Sequence, residues 1–163
     1  MKRERINYAE IDIGVQDLVR GMNRIPFVAT QSSCEGHLLY SSRYGLVPDE
    51  GCAFLTSGHV IFRLDRRYGA YRRFLEEVGS LTRKYSFVDL SEHNCGKQGC
   101  QTEGSITLNL YHHDLTQPEP IVSTDNFETM FKKRWQVTIG AGSKRVEQFR
   151  EVWSDLLGVV QRY

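Results

Sequence analysis

Apolar residues at Ile11, Val15, Leu18, Val19, Met22 and Ile25 recur at every third or fourth position, predicting a helix with one buried face that ends at Pro26. Residues 27–30 form a short apolar run, a strand entering Gln31-Ser32-Ser33-Cys34-Glu35-Gly36-His37. Ala53-Phe54-Leu55 and Val60-Ile61-Phe62-Arg63-Leu64 flank Ser57-Gly58, which predicts a hairpin or one long bulged strand. Helical spacing returns at Tyr71, Phe74, Leu75, Val78 and Leu81, and Phe87-Val88-Asp89-Leu90 follows as strand. Ile106, Leu108 and Leu110 alternate with Thr107, Asn109 and Tyr111. Trp135, Val137 and Ile139 alternate with Gln136 and Thr138, so each of these runs predicts a strand with one polar face. Ser143 is the expected N-cap of a last helix whose apolar stripe is Val146, Phe149, Trp153, Leu156, Leu157 and Val160. Residues 40–51 and 112–126 hold Pro48, Pro118 and Pro120 without either period and read as loops.

Helices with one apolar stripe each must cover a sheet, so this order predicts an α+β fold: one mixed β-sheet packed against about three helices. Residues 1–163 form a single expected domain, and a chain of 163 residues buries enough surface to fold without disulfides or a structural metal. Lys and Arg number 21 against 20 Asp and Glu, a balance that excludes a uniformly basic nucleic-acid binder and leaves room only for a local basic patch. No stretch approaches the roughly 18 apolar residues of a membrane span. The basic residues 1–7 lead into Tyr8-Ala9-Glu10, where a secretory leader has an apolar segment, and the expectation is a cytoplasmic protein. In that compartment Cys34, Cys52, Cys95 and Cys100 are expected as thiols or metal ligands.

Three stretches carry chemistry. The first, Ser32-Ser33-Cys34-Glu35-Gly36-His37, places two hydroxyls, a thiol, a carboxylate and an imidazole where the chain leaves a strand. A thiol with a histidine three residues on can be activated as thiolate or can share a metal, and hydroxyls beside Gly can hydrogen-bond an anionic ligand. The competing reading is a turn whose Cys34 points into the core. Thr30-Gln31-Ser32-Ser33-Cys34-Glu35-Gly36-His37 resembles the Thr-x-Ser-Ser-Cys-Ser-Gly-Arg signature of the wybutosine-synthesising methyltransferase family, whose members methylate a tricyclic guanosine derivative in phenylalanine transfer RNA. The order of elements over residues 11–125 resembles that family too. Glu35 and His37 stand where the family has Ser and Arg, the family's Lys-Phe-Glu-Pro stretch is absent, and Glu92-His93 stands where it has Gly after Ser. The resemblance implies a similar fold, S-adenosylmethionine as cofactor and tRNA as partner. It further implies a cleft in which Ser32, Ser33 and Gly36 hold the cofactor, with Cys34, His37 and His93 catalytic and His59 nearby. The rate in such a cleft comes mostly from proximity and orientation.

The second stretch, residues 63–74, interleaves Arg63, Arg66, Arg67, Arg72 and Arg73 with Tyr68, Tyr71 and Phe74, a mixture suited to phosphates and stacked bases of RNA. The competing reading is a solvated face paired with Asp65, Glu76 and Glu77, with Tyr71 and Phe74 in the core. The third, His93-Asn94-Cys95-Gly96-Lys97-Gln98-Gly99-Cys100, pairs Cys95 and Cys100 at a spacing that permits a zinc knuckle completed by Cys34 and His37, a redox pair, or unpaired thiols. A non-enzymatic zinc- or RNA-binding module is therefore the alternative to a methyltransferase. Cys52 reads as buried filler and His59 as a polar-face residue. The adjacent His112 and His113 must point to opposite sides, so a hydrolase using one of them with Asp114 and His37 is a further possibility. No phosphate-binding G-x-x-x-x-G-K, G-x-S-x-G or G-x-G-x-x-G motif occurs.

Overall fold

The two periodicities of the sequence separate into layers, helices on one side and strands on the other. The structure, a computed structural model, describes residues 6–93, 104–115 and 135–163. After a 3-10 turn at Tyr8–Glu10 come α1 (Ile13–Arg24), β1 (Val28–Cys34), β2 (Leu38–Leu39), β3 (Cys52–Leu55), β4 (Gly58–Leu64), α2 (Tyr71–Lys84), β5 (Val88–His93), β6 (Ser105–Leu110), β7 (Gln136–Thr138) and α3 (Ile139–Val160). Among the described residues this is the expected α+β class, with three α-helices. The strands, however, divide into two sheets with every pairing antiparallel, a four-stranded sheet ordered β1-β4-β6-β5 and a three-stranded sheet ordered β2-β3-β7, where the sequence reading places one mixed sheet.

The reason lies in β4, which is central. It pairs with β1 along one edge and with β6 along the other, leaving no edge for β3. The Ser57-Gly58 bend is therefore no hairpin and no bulged strand but a crossing between sheets. β3 instead pairs with β2 and β7. The single irregularity in the β1–β4 ladder lies between Thr30 and Ser32.

The inner face of the larger sheet carries Val60 and Phe62 of β4 with Ile106, Leu108 and Leu110 of β6. They pack against Val15, Leu18 and Met22 of α1, Phe74 and Val78 of α2, and Phe149, Val152 and Leu156 of α3. Phe74 meets both Phe27 and Tyr163 edge-on, with ring centroids 5.9 and 5.3 Å apart, a favoured aromatic geometry. Helix α3 starts at Ile139, capped by the Thr138 hydroxyl accepting from the Ala141 amide at 3.4 Å, and not at Ser143. That cap shortens β7 and takes Ile139 out of the strand alternation. Near the start of α3 the buried Arg145 grips Asp114 through both guanidinium nitrogens at 2.9 and 2.7 Å and donates to the Tyr111 carbonyl at 2.6 Å. Its guanidinium also covers the Phe87 ring, so one buried cation is satisfied on every side.

His112 is buried and His113 exposed, but their rings do not part to opposite sides as strand alternation predicts: the centroids lie 5.1 Å apart and both rings lie against Trp135, because β6 ends at Leu110 before the pair. His112 shares a 3.1 Å hydrogen bond between Nδ1 and the Ser57 hydroxyl, and its ring lies against Trp135, while Nε2 has no partner. Burial, reinforced by His113 and Arg145, pushes its pKa down to about 4. The folded chain therefore keeps His112 neutral at pH values where the unfolded chain protonates it. The unfolded state binds more protons between the ordinary histidine value and about 4, so stability falls as pH drops through that window, by up to about 1.4 kcal/mol per pH unit. Urea midpoints measured across that range should fall, and His112→Asn should flatten the slope. An unchanged slope in that variant would assign the acid sensitivity elsewhere.

Candidate functional site

The chain crosses between the two sheets twice at one place. It leaves the larger sheet after Cys34 through Glu35-Gly36-His37, and it returns through Thr56-Ser57. The two crossings are stitched together. The Thr56 amide donates to the His37 carbonyl at 2.9 Å, and the His37 amide donates to the Thr56 hydroxyl at 2.8 Å. Trp153 of α3 donates its indole N–H to the Glu35 carbonyl at 3.1 Å. Gly36 adopts a φ of +85°, and a Cβ there would lie 2.6 Å from the Phe149 ring and 3.1 Å from the Gly58 amide nitrogen. The glycine of the motif is thus required by a positive φ and by packing onto α3.

This geometry turns the side chains of the motif toward the start of α1. Asp12 stands at the N-cap position yet caps nothing. Its Oδ2 instead accepts the Glu35 amide at 3.0 Å and lies 3.1 Å from His37 Nε2. Capping passes to Glu35, whose Oε2 accepts the Gly14 amide at 2.7 Å, placing a carboxylate against the positive end of the helix. Glu35 Oε1 lies 3.6 Å from His37 Nδ1, so the imidazole sits between two carboxylates.

Each titratable group responds to this crowding. Burial opposes the charge on Asp12, but the Glu35 amide, His37 and the Cys34 thiol outweigh it and hold the carboxyl below its usual range. Burial and the nearby Asp12 and Glu35 charges outweigh the Gly36 amide and raise the Cys34 thiol. One ligand atom from each of Asp12, Cys34 and His37 lies within 4.8 Å of the others, a group that could hold a metal ion.

Of the residues singled out from sequence, Cys34 and His37 meet here. Ser32 is exposed and hydrogen-bonds His59 Nε2 at 3.1 Å, and His59 sits opposite Cys34 in the β1–β4 register. Burial keeps the His59 imidazole below its ordinary value despite the Asp12 charge. Ser33 pairs with Val60 in the same ladder. His93 does not join the group. It ends β5, on the edge of the sheet opposite β1, with two strands between and about 14 Å across the sheet, and in the register it is level with Ala29 rather than Cys34, at the other end of β1. Cys95 and Cys100 lie outside the described residues. Asp114 is taken by Arg145, and neither it nor His112 or His113 lies in the Asp12 group, so the alternative hydrolase set is not assembled. Cys52 is half-buried rather than core.

Three of the five arginines of the stretch are ion-paired within the chain. Arg66 pairs with Glu92, Arg67 with Asp65 at 2.6 Å and Arg73 with Glu77 at 2.9 Å. Arg63 donates to the Ser105 hydroxyl at 3.3 Å and Arg72 to the Tyr71 hydroxyl at 3.2 Å. Phe74 is core and Tyr71 packs against it from the edge, as the competing reading holds.

Asp12 and Glu35 are what sequence reasoning missed as a pair. An acidic residue just before an amphipathic helix looks like an ordinary cap, and only the crossing shows that the carboxylate faces elsewhere. Gly36→Ala should destabilise the fold by roughly 2–4 kcal/mol, from strain at positive φ plus overpacking against Phe149. A urea midpoint equal to that of the unaltered protein would contradict the packing described.

No protein-family model, curated protein or solved structure matches the chain, so the reading of this site rests on its own geometry.

Proposed function

We propose that the protein binds a single zinc ion at the Asp12–Cys34–His37 corner and keeps one coordination position for water or another exchangeable ligand. The observation that carries this reading is the convergence of a carboxylate oxygen, a thiol sulfur and an imidazole nitrogen within 4.8 Å. Zinc bonds of about 2.0–2.3 Å in a tetrahedron put ligand atoms roughly 3.5 Å apart, so small side-chain rotations suffice. The chemistry of the donors fits. Asp12 is held as a carboxylate, and the Cys34 thiol would release its proton to solvent as the metal takes its place, as cysteine ligands do. Three protein ligands with an open position are the pattern of zinc sites that exchange a ligand, whereas structural sites are closed by four. When bound, the ion supplies a Lewis acid. The residues of this chain orient it, exclude part of the solvent and hold the neighbouring proton acceptors Glu35 and His59.

Metal analysis after dialysis against zinc should give about one ion per chain for the unaltered protein and for Cys95→Ser. Asp12→Ala, Cys34→Ser and His37→Ala should each lose the ion while staying folded. Retention in Cys34→Ser would overturn the assignment, and loss in Cys95→Ser would move the site toward the cysteine loop.

A second reading is methyl transfer from S-adenosylmethionine to a nucleotide of tRNA. It rests on the resemblance of Ser32-Ser33-Cys34 and Gly36 to the methyltransferase signature, with the His37 imidazole of the same motif held between Asp12 and Glu35. Calorimetric titration of chelator-treated protein with S-adenosylmethionine should then show saturable binding weakened by Ser33→Ala. Absence of binding by folded protein would remove this reading and leave the zinc site untouched.

A further inference from the structure

We infer that Glu35 is a positioning residue of the zinc site, fixing the ring orientation and proton location of His37 without touching the metal. The inference rests on the zinc reading and adds to it a residue outside the ligand set.

Every polar group of Glu35 but one is occupied by something rigid. Its amide is held by Asp12, its carbonyl by the Trp153 indole, and its Oε2 by the Gly14 amide at the first turn of α1. A Cβ on Gly14 would sit 1.9 Å from that Oε2, so the helix start is shaped to admit this carboxylate. The remaining oxygen, Oε1, faces His37 Nδ1 at 3.6 Å, an ion-pair contact that a small side-chain rotation closes to a hydrogen bond. His37 Nε2 faces the ligand side, 3.1 Å from Asp12 Oδ2. For Nε2 to donate its lone pair to a metal it must be free of hydrogen, and the neutral ring then carries its proton on Nδ1, pointing at Glu35. A carboxylate that accepts the distal N–H of a ligating histidine fixes the tautomer and strengthens the ligand, and its loss typically weakens metal binding about 10–100-fold.

The informative variant is Glu35→Gln. Its amide oxygen can still accept from Gly14, so the helix start keeps its cap, but the group then turned to His37 Nδ1 is an N–H donor. A donor there favours the tautomer with hydrogen on Nε2, the atom that must bind zinc. Competition against a chromophoric chelator should show zinc affinity of Glu35→Gln reduced about 10–100-fold, with the metal-free unfolding midpoint little changed. Long-range ¹H–¹⁵N spectra of the zinc-loaded proteins should place the His37 proton on Nδ1, with the Nδ1–H resonance shifted in zinc-loaded Glu35→Gln, where the carboxylate acceptor is gone, a change that a purely structural role would not produce. Gly14→Ala, which displaces the same carboxylate from the other side, should lower affinity in the same direction. Glu35→Gln binding zinc as tightly as the unaltered protein, while His37→Ala has lost it, would overturn the role of Glu35 and leave the zinc site standing. Failure of the unaltered protein to take up zinc would overturn both.

Discussion

The rest of the molecule depends on the double crossing between its sheets. Because β4 is paired on both edges, the segment between β1 and β4 must leave the larger sheet and build a second one with β7. Leaving and returning happen side by side, at residues 35–37 and 56–57, and each crossing satisfies the other's backbone groups. A buried crossing cannot leave N–H or C=O groups unpaired without a cost of about 1–3 kcal/mol each. Trp153, Thr56 and Asp12 fill the places that strand partners fill elsewhere. The corner is therefore rigid for reasons of fold, and its chemistry inherits that rigidity.

The same constraint explains an exchange of roles at α1. In an ordinary helix the residue before the first turn caps the free amides. Here the crossing brings Glu35 to the Gly14 amide, and Asp12 is released to face Cys34 and His37. The helix keeps an anion at its positive end, supplied from 21 positions away in sequence. What remains at Asp12 is a carboxylate held by an amide and an imidazole, with the Cys34 sulfur within 4.8 Å.

Much of the fold was legible along the chain. The stripes that begin at Val15, Phe74 and Phe149 are buried on three helices, and Ile106, Leu108 and Leu110 form one face of a central strand. These succeed because periodicity reports burial directly. The bend at Ser57-Gly58 misled because a turn signal says that the chain changes direction, while the identity of the next partner is decided by β6, nearly fifty residues on. The partners of the arginine stretch were only partly legible for a related reason. Local density of like charge is visible in sequence, but Glu92, which answers Arg66, comes from another strand, and Glu77 answers both Arg73 and Arg162. At the site, Cys34 and His37 were legible because they share a short motif. Asp12 was not, since its partners lie 22 to 25 positions later and its own surroundings fit a cap.

The polar side chains of the corner already face one another, and this bears on what they could hold. Burial and the Asp12 and Glu35 charges raise the Cys34 thiol, and the His37 ring spans two carboxylates. Were stability the only demand, apolar side chains packed around Trp153 would serve as well and avoid the desolvation of Asp12 and Glu35. The fold instead spends its central crossing on keeping two carboxylates, a thiol and an imidazole in one partly exposed place. Groups held this way are worth their desolvation when something with a positive charge takes the place of their protons. Removing the Cys34 proton and freeing His37 Nε2 leaves a dianionic ligand set, counting Asp12 and the thiolate, which matches a divalent cation in charge as well as in geometry.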